Sequence, residues 1–215
     1  GSLRIAEDAA ELEDCRAQLR QMQADGLTAE WYAGPEGEGL LFPQDAVFNP
    51  LTRCRELATR GASRGARLFE GSPVTQLEPG AVVTAEGQVR CGAVIVAVDG
   101  RLDLLLPELA GRVRTARLQM LATEPTDQVV LPRPVYRRYG YEYYQRTADG
   151  RVALGGFRDQ AGEAEWTLSA EPSELVQDRL ERFLRQELGV SAAITHRWAA
   201  SVGYTQAVLP VAAEV

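Results

Sequence analysis

Hydrophobic positions recur along the chain at helical spacing in three stretches. Apolar residues three and four positions apart predict helices over residues 6–23, over residues 50–61 and over residues 171–188. Asn49 followed by Pro50 is typical of a helix start, since Asn caps the first N–H groups and Pro suits the first helical position. Gly61 or Gly65 is expected to end that second helix. The pattern therefore places helices near both ends of the chain.

Between these helices, short apolar or alternating runs separated by turn residues predict strands. They fall at residues 66–70, 74–78, 82–85, 89–90, 93–98, 112–123, 139–146, 152–157 and 192–202. A further helix is expected over residues 102–110, and Asp149-Gly150 is a strong turn signal between two of the strands. This order predicts an α+β fold with a mixed, mostly antiparallel sheet and helices on one face.

Composition excludes several classes of protein. The 215 residues are 45% hydrophobic, enough for one large domain or two small ones. The net charge is −7 and every positive side chain is Arg, so we expect no nucleic-acid partner. Apolar runs such as residues 93–98 are far shorter than the ~20 residues that span a bilayer, so no membrane partner is expected. No feature of the sequence indicates an oligomeric state.

Cysteine and histidine usage narrows the chemistry further. Cys15, Cys54 and Cys91 are widely spaced and odd in number, which favours a reducing, cytoplasmic location and thiols that are buried or inert. His196 is the only histidine, so no metal site and no Ser-His-Asp triad are expected. The glycine cluster at residues 34–39 contains Pro and two acids and is interpreted as a polar loop, because phosphate cradles are built from unobstructed backbone N–H groups.

Several motifs occur together in a recognisable order. They are Phe42-Pro43, Asn49-Pro50, Gly65-Ala66, Val74, Val94-Ile95-Val96-Ala97, Ala122-Thr123-Glu124-Pro125, Gly155-Gly156-Phe157-Arg158-Asp159 and Arg197-Trp198-Ala199. In this order the chain resembles FAD-dependent oxidoreductases of the D-amino-acid oxidase and glycine oxidase superfamily, and within it the gamma-glutamylputrescine-oxidase-like branch. The resemblance implies that residues 1–100 are the middle of a partial FAD-binding domain and residues 101–215 a substrate-binding domain. The chain would then be a partial one, lacking an N-terminal dinucleotide motif and a C-terminal flavin segment.

The same resemblance implies which residues contact FAD. Val74 would present backbone groups to the adenine end, and the loop from Ala97 through Asp99 to Gly100 would lie near the pyrophosphate. The side chain of Trp198 would form one wall of the flavin site. Thr205 belongs to the segment that leads into the flavin-binding region. Asp99 departs from the family pattern A-x-G, and we expect its carboxylate to face solvent or to cap a helix. Ala207 and Ala213 also depart from it, replacing the family's acid and its final glycine.

Candidate catalytic residues lie in the Tyr-rich strand and after the Gly-Gly pair. Tyr141 and Tyr143 would share one strand face with Tyr139 and line a pocket beside the flavin, since tyrosine offers a flat apolar ring with a hydroxyl at its edge. The alternative is that they form ordinary core or sheet surface. Arg158 would contact the substrate, with an ion pair to Asp159 as the alternative.

These observations indicate a function that the resemblance makes specific. We expect an FAD-dependent oxidoreductase that oxidises an amine or amino-acid-like small molecule by hydride transfer to the flavin, present here as a fragment that is inactive alone. The alternative is a non-catalytic small-molecule-binding or interaction module derived from such an enzyme. Val202 stands where relatives acting on free amino acids carry a carboxylate-binding Arg.

One expectation concerns the 215 residues by themselves. No G-x-G-x-x-G motif occurs in them, so the helix N-terminus that binds a pyrophosphate is not encoded, and the isolated chain is expected to hold no FAD. Absorbance at flavin wavelengths after desalting measures this. A yellow colour that survives desalting would contradict the expectation.

Overall fold

The structure is a computed structural model that describes residues 1–205 and 209–210, with the backbone alone at residue 103. Its helices are α1 (Ala9–Ala24), α2 (Pro50–Ser63), α3 (Arg158–Ala161) and α4 (Glu174–Gln186). Its strands are β1 (Ser2–Ile5), β2 (Glu30–Gly34), β3 (Gly37–Phe42), β4 (Val74–Glu78), β5 (Ala81–Thr84), β6 (Gly87–Arg90), β7 (Val113–Pro125), β8 (Val135–Arg137), β9 (Glu142–Arg146), β10 (Arg151–Gly156) and β11 (Ile194–Thr205).

The chain divides into two compact units, and each unit is assembled from two segments. Unit 1 contains residues 1–46 and 116–202, and unit 2 contains residues 47–115 and 203–215. The sequence predicted one boundary at residue 100 between contiguous domains. The observed division differs because the N-terminal residues pair with strands that lie more than a hundred positions later in the chain.

Unit 1 is built on an eight-stranded sheet of order β11-β7-β10-β9-β8-β1-β3-β2. β1 runs parallel to β8, whereas β1–β3, β2–β3, β8–β9, β9–β10 and β7–β10 are antiparallel pairs. The predicted α+β class with a mixed, mostly antiparallel sheet is therefore confirmed. The sequence missed β2 and β3, whose hairpin turn is made by the glycine cluster at residues 34–37.

Helix α4 covers one face of this sheet. The core combines apolar side chains of α4 with alternate residues of β1, β7, β8, β9 and β10. Its members include Leu3, Ile5, Leu121, Val135, Tyr144, Val152, Leu154, Val176, Leu180, Phe183 and Leu184. Fully burying each large side chain contributes about 1.5–3 kcal/mol, so this layer is the main source of stability in unit 1.

Helix α1 lies against the opposite face, so the helices occupy both faces of the sheet rather than the single one predicted. Arg4, which alternates with the core residues of β1, reaches the α1 side chains Asp14 and Gln18. Asp8 caps the helix by accepting a hydrogen bond from the N–H of Glu11 at 2.8 Å. Glu11 also accepts a hydrogen bond from the N–H of Glu7, one residue before the cap, at 3.0 Å.

Unit 2 has little buried apolar surface among its described residues. β4, β5 and β6 form a three-stranded antiparallel sheet, as their alternation predicted. α2 begins at its predicted cap, with Asn49 accepting from Thr52 N–H at 3.0 Å, yet none of its residues is buried. Leu51 and Leu57 of the predicted buried face are exposed.

Three predictions for unit 2 are wrong. Residues 66–70 and 93–98 form no strand, and residues 102–110 form two short 3-10 helices, Asp99–Leu104 and Pro107–Leu109, instead of an α-helix. An apolar run of strand length needs neighbouring strands to pair with, and in the described chain these two runs have none. Ile95 is 93% exposed as a result.

In the part of the chain that the structure describes, no helix combines the length and the apolar character needed to cross a bilayer.

Candidate active site

One row of side chains crosses five strands of unit 1 on the face opposite α4. The registers place Arg4 beside Tyr136, Tyr136 beside Tyr143, Tyr143 beside Gly155, and Gly155 beside Met120. The Tyr136 and Tyr143 rings are 6.1 Å apart between centroids. Five strands, β1, β7, β8, β9 and β10, thus contribute to one surface that carries two aromatic rings.

This surface encloses a small pocket of about 100 Å³. Its lining residues are Met120, Pro134, Val135, Tyr136, Tyr143, Tyr144, Gln145 and Ala153. The Tyr143 ring lies across Gly155, since a Cβ added to Gly155 would be 2.6 Å from Tyr143 Cζ and 2.7 Å from its hydroxyl oxygen. The absence of a side chain at Gly155 is what allows the ring to lie flat there. The pocket offers aromatic faces and the amide of Gln145 as a polar group.

The predicted Tyr-rich strand is shorter than its sequence indicated. β9 begins at Glu142, so Tyr139 and Tyr141 are not strand residues and the predicted common face of three tyrosines is wrong. Arg138 and Tyr139 have φ values of 48° and 55°, and Gly140 follows at 85°. Left-handed backbone at two consecutive non-glycine residues is costly and persists only where surrounding contacts hold it.

Contacts from several elements hold this turn. The buried Glu11 carboxylate accepts a hydrogen bond from Tyr139 N–H at 2.7 Å. Arg138 donates to Glu142 at 2.6 Å and to both carboxylate oxygens of Asp159 at 3.0 and 3.1 Å. Burial raises the pKa of Glu142, and the Arg138 guanidinium offsets part of that effect. Asp159 therefore pairs with Arg138, not with Arg158 as one reading of the sequence proposed.

Arg158 and Tyr141 are brought together at the start of α3. The Arg158 guanidinium lies 5.5 Å from the centroid of the Tyr141 ring and 5.0 Å from that of Trp166. Contacts of this kind orient an arginine between aromatic faces. A contact of Arg158, Tyr141 or Tyr143 with the substrate stays a prediction.

A buried polar network near this turn was missed by the sequence analysis. Arg117 donates to both carboxylate oxygens of Glu165 at 2.9 and 2.7 Å, and Glu165 is 1% exposed. Gln119 and Ser173 also donate to Glu165, at 2.8 and 3.0 Å. The alternation of Arg117 and Gln119 within an otherwise apolar strand was the available signal. The network ties the segment between β10 and α4 to β7.

The predicted pyrophosphate loop lies in unit 2 and is closely packed. Asp99 has a φ of 55° and its carboxylate accepts a hydrogen bond from Gly203 N–H at 3.0 Å. A Cβ on Gly100 would be 2.6 Å from Thr115 Oγ1 and 3.1 Å from Gly203 N. Asp99 is exposed, as one of the two expectations had it, and its carboxylate is engaged by a backbone N–H. Ala97 is exposed as well, and a contact of this loop with a cofactor stays a prediction.

The other predicted cofactor residues lie in different places. Val74 begins β4 and is half-buried opposite Thr84. Trp198 is 38% exposed on β11, and its contact with the flavin stays a prediction. Thr205 ends β11 and donates to Leu209 C=O at 2.7 Å. Positions 207 and 213 lie outside the described residues.

The predicted catalytic residues and most of the predicted cofactor residues lie in different units. Tyr141, Tyr143 and Arg158 are all in unit 1, and the predicted cofactor residues other than Trp198 are in unit 2. Among the residues that the structure describes, no group of three or more His, Cys, Asp or Glu side chains is placed to hold a metal ion. Tyr136 and Met120 were missed because their position in the row depends on strand register.

Comparison with solved structures shows the fold. L-proline dehydrogenase from P. horikoshii superposes with a TM-score of 0.83 at 15% identity, over 100% of this chain and 63% of that one. Glycine oxidase from Geobacillus kaustophilus gives 0.82 at 16% identity, over 98% and 60%. An L-amino acid deaminase from Proteus vulgaris gives 0.79 at 15% identity, over 100% and 60%. This chain spans about three-fifths of the length of these proteins.

Sequence comparison identifies the family. No curated protein matches the chain. The sequence profile described as FAD dependent oxidoreductase (DAO) matches residues 1–215, the whole of the sequence. That family is FAD-dependent, and the three solved structures share the fold of this chain. The chain belongs to the DAO family of FAD-dependent oxidoreductases.

Proposed function

We propose that the protein containing this chain oxidises an amine or amino-acid-like substrate with FAD. The observation that carries the proposal is the aromatic pocket between Tyr136 and Tyr143, in a chain whose family is FAD-dependent. When bound, the flavin accepts the hydride released from the carbon beside the amine. The protein itself then has to orient the substrate, exclude water and leave the amine uncharged.

The pocket residues divide these tasks. Tyr136 and Tyr143 offer their rings as one wall for the apolar part of the substrate, and Gln145 offers an amide for a hydrogen bond. Ala153 leaves room for the reacting carbon because its side chain is small, whereas the space at Gly155 holds the Tyr143 ring. Arg158, stacked between Tyr141 and Trp166, is proposed to meet the polar end of the substrate. Val74, Ala97, Gly100 and Thr205 are proposed to hold the cofactor.

We also propose that further polypeptide completes unit 2. The exposed apolar residues of unit 2 support this, since α2 buries none of its residues and Phe48 is 70% exposed. Exposed apolar side chains that follow one another in sequence, such as Val47, Phe48 and Leu51, are typical of a contact face. Residues 93–98 have the composition of a strand buried on both sides, which requires neighbours. The resemblance to the gamma-glutamylputrescine-oxidase-like branch and the cytoplasmic location stay predictions.

A second candidate is a non-catalytic binding module derived from such an enzyme. Asp99 favours it, because a carboxylate stands where the family has glycine beside the pyrophosphate. The two candidates differ in one measurement. The full-length protein, purified without added cofactor, shows flavin absorbance and bleaches anaerobically with an amine if the oxidoreductase proposal holds. Absence of bound flavin, even after incubation with FAD, would favour the binding module.

Substrate preference is a further expected result. Val202 replaces an arginine that would pair with a carboxylate, and an unpaired buried carboxylate costs several kcal/mol, or about 10²-fold in binding. The full-length enzyme is therefore expected to prefer an amine or substituted amino compound. Steady-state kcat/KM values for glycine, D-alanine, sarcosine and putrescine derivatives measure it. If kcat/KM is highest for glycine or D-alanine, the expected preference for amines is wrong.

A further inference from the structure

A second, larger cavity lies next to the aromatic pocket in unit 1. This groove has a volume of about 510 Å³ and is lined by Arg4, Asp14, Gln18, Phe42, Tyr136, Tyr139 and Gly140. Tyr136 lines both the groove and the pocket of about 100 Å³. Because Arg4, Tyr136 and Tyr143 are neighbours in one row, the two cavities follow each other along the same sheet face. A molecule held at Tyr143 can therefore extend past Tyr136 into the groove.

The groove wall formed by Tyr139 is held in a costly conformation. Tyr139 has a left-handed backbone that a bulky residue rarely adopts, and Glu11, 1% exposed, fixes it through its N–H. Arg4 lies 5.5 Å from the centroid of the Tyr139 ring. Strained residues that their surroundings over-determine cluster at ligand sites. The Glu11 hydrogen bond thus holds the Tyr139 backbone at the rim of the groove, and the contact with Arg4 orients its ring, which is 58% exposed.

The side chains that line the groove indicate which kind of chemical group it binds. Phe42, Tyr136 and Tyr139 contribute three aromatic rings. Its one arginine is already paired, because Arg4 donates to Asp14 at 2.5 Å and to Gln18. A group bound in the groove therefore needs no negative charge to pair with Arg4 and no positive charge to pair with Asp14. An uncharged, apolar or aromatic group fits these walls.

We propose that the groove binds an uncharged aromatic or alkyl arm of the substrate, whose amine lies in the pocket at Tyr143. The inference rests on the proposed function for the position of the amine, whereas binding of the arm depends only on unit 1. A free amino acid with a small side chain fills the pocket alone and leaves the groove empty. The groove thus selects amines that carry a long apolar arm, and Tyr139 is a specificity-determining residue.

The test compares 4-phenylbutylamine with propylamine on the full-length, FAD-loaded protein. Dissociation constants come from calorimetry, and kcat/KM comes from anaerobic flavin bleaching. Tyr139→Asn removes the ring but suits the left-handed backbone, since Asn tolerates that region and keeps its N–H for Glu11. Trp31→Asn is the matched control, because Trp31 is an exposed aromatic of unit 1 that does not line the groove. Phe42→Ala removes another wall of the groove should Tyr139→Asn fail to fold.

The expected result is about tenfold tighter binding of 4-phenylbutylamine than of propylamine, from burial of the ring. Tyr139→Asn or Phe42→Ala should remove most of that preference and leave propylamine within about twofold, whereas Trp31→Asn should change neither. Equal binding of the two amines, or an equal loss for both in Tyr139→Asn, overturns the inference. Tyr139-dependent binding of 4-phenylbutylamine without any flavin bleaching supports the groove and overturns the proposed oxidation instead.

Discussion

Replacing Glu165 by glutamine is expected to lower the free energy of unfolding by about 3–5 kcal/mol at neutral pH. The carboxylate receives two hydrogen bonds from Arg117 and others from Gln119 and Ser173, and the Arg117 side chain is only 11% exposed. Glutamine leaves the guanidinium buried without a counter-charge. Urea unfolding followed by circular dichroism measures the loss.

The matched control for this substitution is Glu163→Gln, in the same 3-10 helix but exposed. Surface changes of this kind stay within about 0.5 kcal/mol. If Glu165→Gln and Glu163→Gln unfold at the same urea concentration, the Arg117 pair is not a major stabilising contact and the network argument fails.

The stability that the Arg117–Glu165 pair contributes depends on pH. Burial alone would raise the pKa of Glu165, but the hydrogen bonds from Arg117, Gln119 and Ser173 outweigh it and hold the pKa below its ordinary value. Stability from this group is therefore present above the unfolded-state pKa of about 4.3, and it is lost as pH falls through the lower folded-state pKa. The wild-type protein should lose more stability below that pH than Glu165→Gln. Parallel acid unfolding of the two proteins would contradict the assignment.

Gly155→Ala is expected to lower kcat/KM of the full-length enzyme by about 10- to 100-fold. A Cβ at this position meets the Tyr143 ring, including Cζ at 2.6 Å, so the ring has to leave its place in the pocket. The backbone of Gly155 is not left-handed, so alanine is tolerated there apart from this contact. The cost in stability should be about 1–3 kcal/mol, typical of overpacking.

Gly92→Ala is the control for this change, because nothing lies within 4 Å of a Cβ at Gly92 and its backbone is not left-handed. Flavin bleaching rates and thermal unfolding of both variants separate activity from folding. An unchanged kcat/KM in a folded Gly155→Ala protein would remove Tyr143 from the proposed substrate site.

Local signals predicted the elements that depend on local interactions. The Asn49-Pro50 start of α2 and the apolar face of α4 were correct, because a cap bond and a helical stripe involve residues close in sequence. The turn at Asp149-Gly150 was also correct, with Gly150 at a φ of 85°. The order of motifs along the chain was enough to indicate the FAD-dependent family.

The sequence did not predict which distant segments pair as strands. Residues 66–70 and 93–98 have the composition of strands, but a strand exists only where another strand accepts its hydrogen bonds. The predicted common face of Tyr139, Tyr141 and Tyr143 failed for the same reason. A one-residue shift in pairing register decides which side chains share a face, and the left-handed turn at Tyr139 breaks the alternation before β9 begins at Glu142.

By itself the sequence determined the start of α2, the α+β class and the family, because each follows from neighbouring residues or from motif order. Only the tertiary structure decided that Arg4, Tyr136, Tyr143 and Gly155 form one row, because their strands meet through registers that no local pattern encodes. It also decided that Arg117 and Glu165, which are far apart in sequence, share a buried pair. Burial of such charges is set by packing across the whole sheet, and packing is a property of the folded chain.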